Sequence, residues 1–411
     1  MERSHGTLAR ALIACVFVGV VGATIATAVL TQSVVWALGV LAGGLIGALT
    51  TLLAVGASGA SRGDMLPALR AQIDPVTGLP REERLEQAIA HAEGAPLALY
   101  RFTIEGFRSY NDAFGEACGD ALLTWLGRKL RDAVAREGSV YRTRGAGFAV
   151  LTPGSPDATA SLRKRCTVAL QEAGDGFRVT CVVGAVAVPD EATDARSALD
   201  LGGRRAQTHR HSGRERSGLR PAAEPAGLIE LSRSSVHAEE LATALGSVLG
   251  FPADQLDDLT AAVRLRDVGN LAVPGSVFER AGHLPGHEWQ FIRLHTLVGE
   301  RLLSASSGMD EVARLVRSSH ERYDGSGYPD GLSGEQIPLG SRIVFVCSAF
   351  GDMTAARAHR AALSVDEALA ELGRGAGTQF DPEVVQAFRE QLAHALHRPG
   401  LAVGAPDTWQ R

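Results

Sequence analysis

The sequence predicts a multidomain protein: an N-terminal two-helix transmembrane hairpin, an α/β domain with a mixed sheet covered by helices, and an all-α domain. Three observations lead there. Two long uncharged apolar runs stand near the N-terminus, from Ala11 to Leu30 and from Val34 to about Ala57. Strand-like and helix-like segments then alternate between Asp74 and about Val188. From about Gly227 onward, apolar residues recur at three- and four-residue spacing in one segment after another. A chain of 411 residues is also too long for a single core.

The first run is about 20 residues, or about 30 Å as a helix, enough to cross a bilayer core. Arg3 and Arg10 precede it, Arg62 and Arg70 follow the second run, and the Thr31-Gln32-Ser33 turn has no charge. The positive-inside rule then puts both ends in the cytoplasm. The expectation is a multi-pass protein of the inner membrane, with a tail over 1–10, a hairpin over 11–57 and its other domains cytoplasmic. Gly39, Gly43 and Gly47 share one face of the second run, a spacing that lets helices approach and is also common in ordinary membrane helices.

Cys15, Cys118, Cys166, Cys181 and Cys347 are scattered, odd in number and without a CxxC pair. That pattern reads as reduced thiols, not a disulfide framework or zinc knuckle. A net charge of −5 argues against generic nucleic-acid binding.

The α/β domain is expected over 66–217. "DPVTGLP" leads into the helical "REERLEQAIAHAEG", then the strand-like "LALYRFTI", "EGFRSYNDAFGEACGDALLTWLGRKLRDAV", a hairpin at "SVYRTRGAGFAVLTPG" and a further strand at "FRVTCVVGAVAV". With "GFRSYND", "GEACGDALL" and the terminal "GRER", this order resembles the GGDEF (diguanylate cyclase) family over Asp74–Ser217. Members make cyclic di-GMP from two GTP molecules held on two metal ions, chemistry that needs hard carboxylate ligands. On the matching positions the metal-binding Asp falls on Thr103, with Glu105 beside it, and the signature becomes "RGAGF", with Ala146 and Gly147 where its Asp and Glu belong. Synthesis is expected to be lost. The product-inhibition RxxD is also absent at Ala135–Gly138. Asn111 and Asp120 match the guanine-reading positions, which would make GTP a partner; both residue types are also common in caps and turns.

"LRPAAEPAG" marks a linker over 218–226, and the all-α domain is expected over 227–400. Its helices read from "HAEELATALGSVLG", "QLDDLTAAVRLRDVGN" and "EWQFIRLHTLVGERLL". His237, Asp267, His295 and His320 stand on different helices, and side chains projecting inward from facing helices are how helical bundles build metal sites. "RDVGNLAVPGSVFERAGHL", "HERYDGSGYPDGLSGEQIPLGSRIVFV" and "GTQFDPEVVQAF" make the segment Arg233–Phe388 resemble the HD-GYP family. Members hydrolyse cyclic di-GMP or related cyclic dinucleotides with two or three iron- or manganese-type ions.

The resemblance implies metal ligands at His237, Asp267, His295 and His320, with Asp267 also the catalytic candidate. It further implies that Arg266, Ser319 and Ser348 replace ligands, that Arg233 replaces the glutamate of three-metal members, and that Asn270 replaces a lysine. Arginine stays protonated and has no lone pair for a metal, so Arg266 repels the ion it should hold and can neutralise Asp267 instead. Were that pair well buried, removing Arg266 would cost about 3–5 kcal/mol. Tyr328, Arg342, Arg357 and Arg360 match the nucleotide- or phosphate-binding side, although the Gly-Tyr-Pro loop also has folding reasons to exist.

The expected function is cyclic-dinucleotide signalling by binding or scaffolding, with one divalent ion or none. The alternative is an active phosphodiesterase with reduced metal content; a third reading is a fold kept for contact with other signalling proteins. Self-association as a homodimer is also expected.

Overall fold

The computed structural model describes residues 71–210, 218–219, 236–278, 286, 288–356 and 361–397. The α/β domain runs α1 (Glu82–Ala90), β1 (Leu97–Glu105), α2 (Phe107–Phe114), α3 (Glu116–Val134), β2 (Ser139–Thr143), β3 (Gly147–Pro153), α4 (Ala160–Ala169), β4 (Glu172–Ala173), β5 (Phe177–Val188) and α5 (Ala195–Arg210). The strands order as β2-β3-β1-β5-β4, and a short β6 (Gly218–Leu219) pairs antiparallel with the start of β5. The expected hairpin is β2–β3, registered from Ser139 opposite Leu151 to Thr143 opposite Gly147. The long segment from Glu105 to Val134 divides into α2 and α3 because Gly115 takes a φ of 92°, a left-handed conformation no bulkier residue adopts cheaply.

"DPVTGLP" is a closed turn. The Asp74 carboxylate accepts from both the backbone N–H (2.8 Å) and the hydroxyl (2.7 Å) of Thr77, and the Asp74 amide donates to Leu79 O at 2.8 Å.

The all-α domain contains α6 (Val236–Val248), α7 (Ala253–Leu265), a 3-10 helix (Val268–Ala272), α8 (Gly275–Phe278), α9 (Trp289–Ser304), α10 (Asp310–Arg317), a 3-10 turn (Gly334–Gln336), α11 (Leu339–Thr354), α12 (Val365–Gly375) and α13 (Pro382–His397). Local chemistry fixes several ends. Asp310 and Glu311 open α10 and Arg314 and Arg317 close it, each sign matched to the helix dipole. A Ser364–Glu367 capping box starts α12. α11 buries Ile343, Val344, Val346, Cys347 and Phe350, which makes it the domain's interior helix.

The residues group into two compact units interleaved along the chain. One takes residues up to Phe102, Leu130–Cys166 and Val183–Ala206; the other takes Thr103–Lys129, Thr167–Val182 and the chain from Gln207. The first has a core around Leu85, Leu99, Tyr141, Ala149, Val186 and Ala198. The second therefore contains α2, most of α3 and the start of β5 together with the all-α helices.

The expected inner-membrane location is corrected. No helix among the described residues is long and apolar enough to cross a membrane. The longest, α3, reaches 19 residues but carries Glu116, Asp120, Arg128, Lys129, Arg131 and Asp132. The hairpin over 11–57 and its glycine spacing lie outside the described residues, and nothing in the structure supports that hairpin.

Candidate metal and nucleotide site

Asp267, His295 and His320 come together: their ligand atoms all lie within 4.8 Å of one another. Asp267 sits where α7 gives way to the 3-10 helix, as that helix's N-cap. His295 points inward from the middle of α9 and is only 3% exposed. The two segments meet closely because residue 269 is glycine; a Cβ there would overlap the carbonyl of His295. His320 follows the end of α10, its ring centroid 4.8 Å from that of His295 in an edge-on arrangement.

The tautomer of His295 follows from its partners. Nδ1 contacts the carbonyl of Ile292, which can only accept, so the proton belongs on Nδ1 and the Nε2 lone pair faces the cluster. The Nε2 atoms of both histidines are buried without a hydrogen-bond partner. Burial lowers the pKa of His295, and burial with His295 as neighbour pushes His320 down to about 3. Two neutral imidazoles with unused lone pairs beside a carboxylate are a donor set that fits one divalent ion.

The same geometry does not fit two ions. Arg266 is buried, and its Nη2 lies 3.3 Å from Asp267 Oδ2 and 3.5 Å from Asp352 Oδ1, while Nη1 donates to Val263 O at 3.2 Å. A fixed positive charge thus lies against Asp267, where it opposes the approach of a second cation. The Ser319 hydroxyl turns back to the Val316 carbonyl at 2.8 Å, and the Ser348 hydroxyl is buried on α11. The expected Arg266–Asp267 ion pair is present, but it is not well buried: the Asp267 and Asp352 side chains are 40% and 46% exposed. The cost expected for removing Arg266 falls accordingly, toward that of a surface pair.

His237 stands in the first turn of α6, and its side chain lies outside the described set. Arg357 and Arg360 lie outside the described residues altogether. Tyr328 stacks on His320 with centroids 5.2 Å apart and planes 7° from parallel, so its ring covers one face of that imidazole. Burial, then the charge of Asp267, raises its hydroxyl to about 12, which keeps it a neutral donor. Arg342 is turned to Asp381, with Nη1 2.5 Å from Oδ2 and Nε donating to Ile337 O.

Two residues that motif reading passed over hold the loop. Glu321, 2% exposed, accepts the amides of Asp330 (2.6 Å) and Gly331 (3.0 Å). Arg317 grips Asp330 through two hydrogen bonds, 2.7 and 2.8 Å, and also pairs with Glu300. A carboxylate in a polar loop carries no sequence signal that it turns inward. Asp352 was visible only as the residue one turn beyond Ser348 on one helix.

In the α/β domain Thr103 lies in β1, and Ala146 and Gly147 lie at the β2–β3 turn. The Arg142 guanidinium closes that turn, donating to the carbonyls of Thr143, Gly145 and Gly147, with Phe148 beneath it at 5.2 Å. Where the family's signature holds metal ligands, this turn holds a cation. Asn111 lies on α2 with its Oδ1 buried and unpartnered; Asp120 is exposed on α3.

Comparison with known proteins agrees with this division. Residues 71–216 match the diguanylate cyclase GGDEF domain family, and residues 219–384 match the HD domain family. The chain therefore carries a GGDEF domain followed by an HD domain. Among curated proteins it is similar to the cyclic di-GMP phosphodiesterase response regulator RpfG of Xanthomonas campestris pv. campestris, 38% identical over 37% of this chain and 44% of the relative. It is also similar to the 3'3'-cGAMP-specific phosphodiesterase 3 of Vibrio cholerae, 34% identical over 33% of this chain and 29% of that protein. The chain thus spans less than half the length of either. A solved sensory box/GGDEF family protein from Caulobacter crescentus covers 34% of this chain and 99% of its own, at 28% identity and a TM-score of 0.31. The two family matches and the two phosphodiesterases are consistent with a GGDEF plus HD-GYP protein.

Proposed function

We propose that the chain is a cyclic-dinucleotide signalling protein whose HD domain binds its nucleotide on a one-metal or metal-free pocket and acts by binding or scaffolding. The observation that carries this reading is Arg266, buried and lying between Asp267 and Asp352. Phosphodiester hydrolysis in two-metal sites relies on ions that flank both the attacking and the leaving oxygen. An arginine in place of a ligand histidine removes the second of them. His295, His320 and Asp267 would hold the remaining ion, which when bound supplies Lewis acidity toward a phosphoryl oxygen. Tyr328 gives the pocket a flat apolar wall and a hydroxyl donor. Cyclic di-GMP and 3'3'-cGAMP are the candidate ligands, from the names of the relatives. The first domain makes no cyclic di-GMP, since Thr103, Ala146 and Gly147 offer no carboxylate and Arg142 fills the turn.

A second reading has its own support. The two buried Nε2 atoms without partners favour a bound ion, and a one-metal phosphodiesterase would use the same three ligands. Metal content and hydrolysis of both dinucleotides, measured on the full chain and on R266H/S319H/S348D, separate the two. The binding reading expects at most one ion and no turnover in the natural chain, with a second ion gained in the triple variant. Two ions and turnover in the natural chain would overturn it. Calorimetry that detects neither dinucleotide would leave a scaffold for partner proteins.

A further inference from the structure

We propose that the GGDEF domain sets the position of the HD cluster through a buried dock, so that a change at α2 alters the affinity of the cluster for a metal ion. This rests on the one-metal reading for its metal arm alone. The dock lies within one compact unit. The Tyr110 hydroxyl, on α2, donates to the carbonyl of Ala272 at 2.7 Å, a buried bond between residues 162 positions apart. The Tyr110 ring is packed edge-on against Phe114 and Phe177, with centroids at 5.0 and 4.7 Å. The Gly176 amide donates to Leu271 O at 3.2 Å. Arg301, on α9, donates to the carbonyls of Asp112 (3.1 Å) and Ala113 (3.2 Å) at the end of α2.

A carboxylate forms the other half of the dock. Glu172 Oε2 accepts from Trp125 Nε1, Lys129 Nζ and the Ser276 hydroxyl, each at 2.9 Å. The first two belong to α3 and the third to α8. The Glu172 side chain is 7% exposed, so these charge-assisted bonds are shielded from water.

What the dock grips matters as much as its strength. Ala272 and Leu271 are the last turn of the 3-10 helix whose N-cap is Asp267, and Arg301 lies less than two turns beyond His295 on α9. Gly269 lies between them, pressed on the His295 carbonyl. A helix of five residues has no slack to absorb a displacement at one end. A displacement of α2 therefore acts first on Asp267 and His295, the two ligands on the segments that the dock grips.

The test uses the full chain and Tyr110→Phe, which removes one hydroxyl and keeps the ring. Glu172→Gln provides a second variant that leaves Tyr110 intact. Amide hydrogen exchange is read over 268–273 and 293–299, and Mn2+ affinity by titration of the metal alone. Both variants should exchange about five- to tenfold faster across both segments, the effect of losing one buried hydrogen bond. Mn2+ should bind at least about threefold more weakly, and α6 and α13 should exchange as before. Acceleration confined to Ala272 and Val273, or an unchanged Mn2+ affinity in a chain that binds Mn2+, overturns the proposal. If the natural chain binds no Mn2+ at all, the one-metal reading falls and the exchange pattern alone decides the coupling.

Discussion

The guanidinium of Arg266 lies 3.3 Å from the carboxylate of Asp267, the residue that follows it in the chain. Adjacent residues seldom pair face to face on a helix; here α7 ends at Leu265, and the break turns both side chains the same way. The arginine is 10% exposed and its two carboxylate partners are nearly half exposed, so the two sides of this pair respond differently to mutation.

Replacing Arg266 by methionine, of similar reach, should change stability by no more than about 1 kcal/mol, because water can solvate the carboxylates left behind. The double change D267N/D352N should cost about 3–5 kcal/mol, because it leaves the buried guanidinium without a counter-charge. Urea denaturation of the three proteins measures both. An equal cost from the two sides would show that burial is not what divides them.

His320→Ala should weaken Mn2+ binding at least about tenfold, since it removes one of three donors and the stacking partner of Tyr328. Calorimetric titration at pH 7 checks this. His394, exposed on α13, should be replaceable with no effect.

The Gly-Tyr-Pro loop should loosen in acid. The hydrogen bonds from Arg317 hold Asp330 below the usual carboxylate range. A depressed carboxylate contributes stability that is complete above its unfolded value, about 3.9, and is lost as pH falls through the folded one. NMR titration should find the Asp330 midpoint below that of a free aspartate and return it to the ordinary value in R317A. The acid dependence of the urea midpoint between about pH 4 and pH 2 should shrink in D330N.

Restoring carboxylates to the first domain should not restore cyclase chemistry. In A146D/G147E the Arg142 guanidinium still fills the turn and would pair with the new acids in preference to a metal ion. Product analysis after incubation with GTP and Mg2+ should find no cyclic di-GMP from this variant or from the natural chain.

Much of this was legible in the sequence where a residue's role is fixed by its covalent chemistry. Arg266 cannot ligate a metal in any fold, and histidines at the end of one helix and the middle of another announced His320 and His295. The strands and helices followed from alternation and three-to-four spacing. Roles set by distant neighbours were hidden. Nothing around Glu321 or Asp352 says which way it faces, and Arg342 reads as a phosphate ligand until Asp381, 39 residues later, comes alongside it. The inner-membrane placement rested on two apolar runs and the arginines that flank them, and the described helices give it no support.

The bond from Tyr110 to Ala272 and the three bonds to Glu172 have a consequence for how such a chain changes over generations. A domain without a bond to its neighbour is ordinarily free to drift or be deleted. This one supplies a hydroxyl to a backbone carbonyl of its neighbour and a carboxylate to the neighbour's Ser276. Selection on the second domain therefore reaches Tyr110, Trp125 and Glu172 in the first. A gene rearrangement that cut between the two family matches, at residues 216–219, would part the Tyr110 hydroxyl from Ala272 and the Glu172 carboxylate from Ser276.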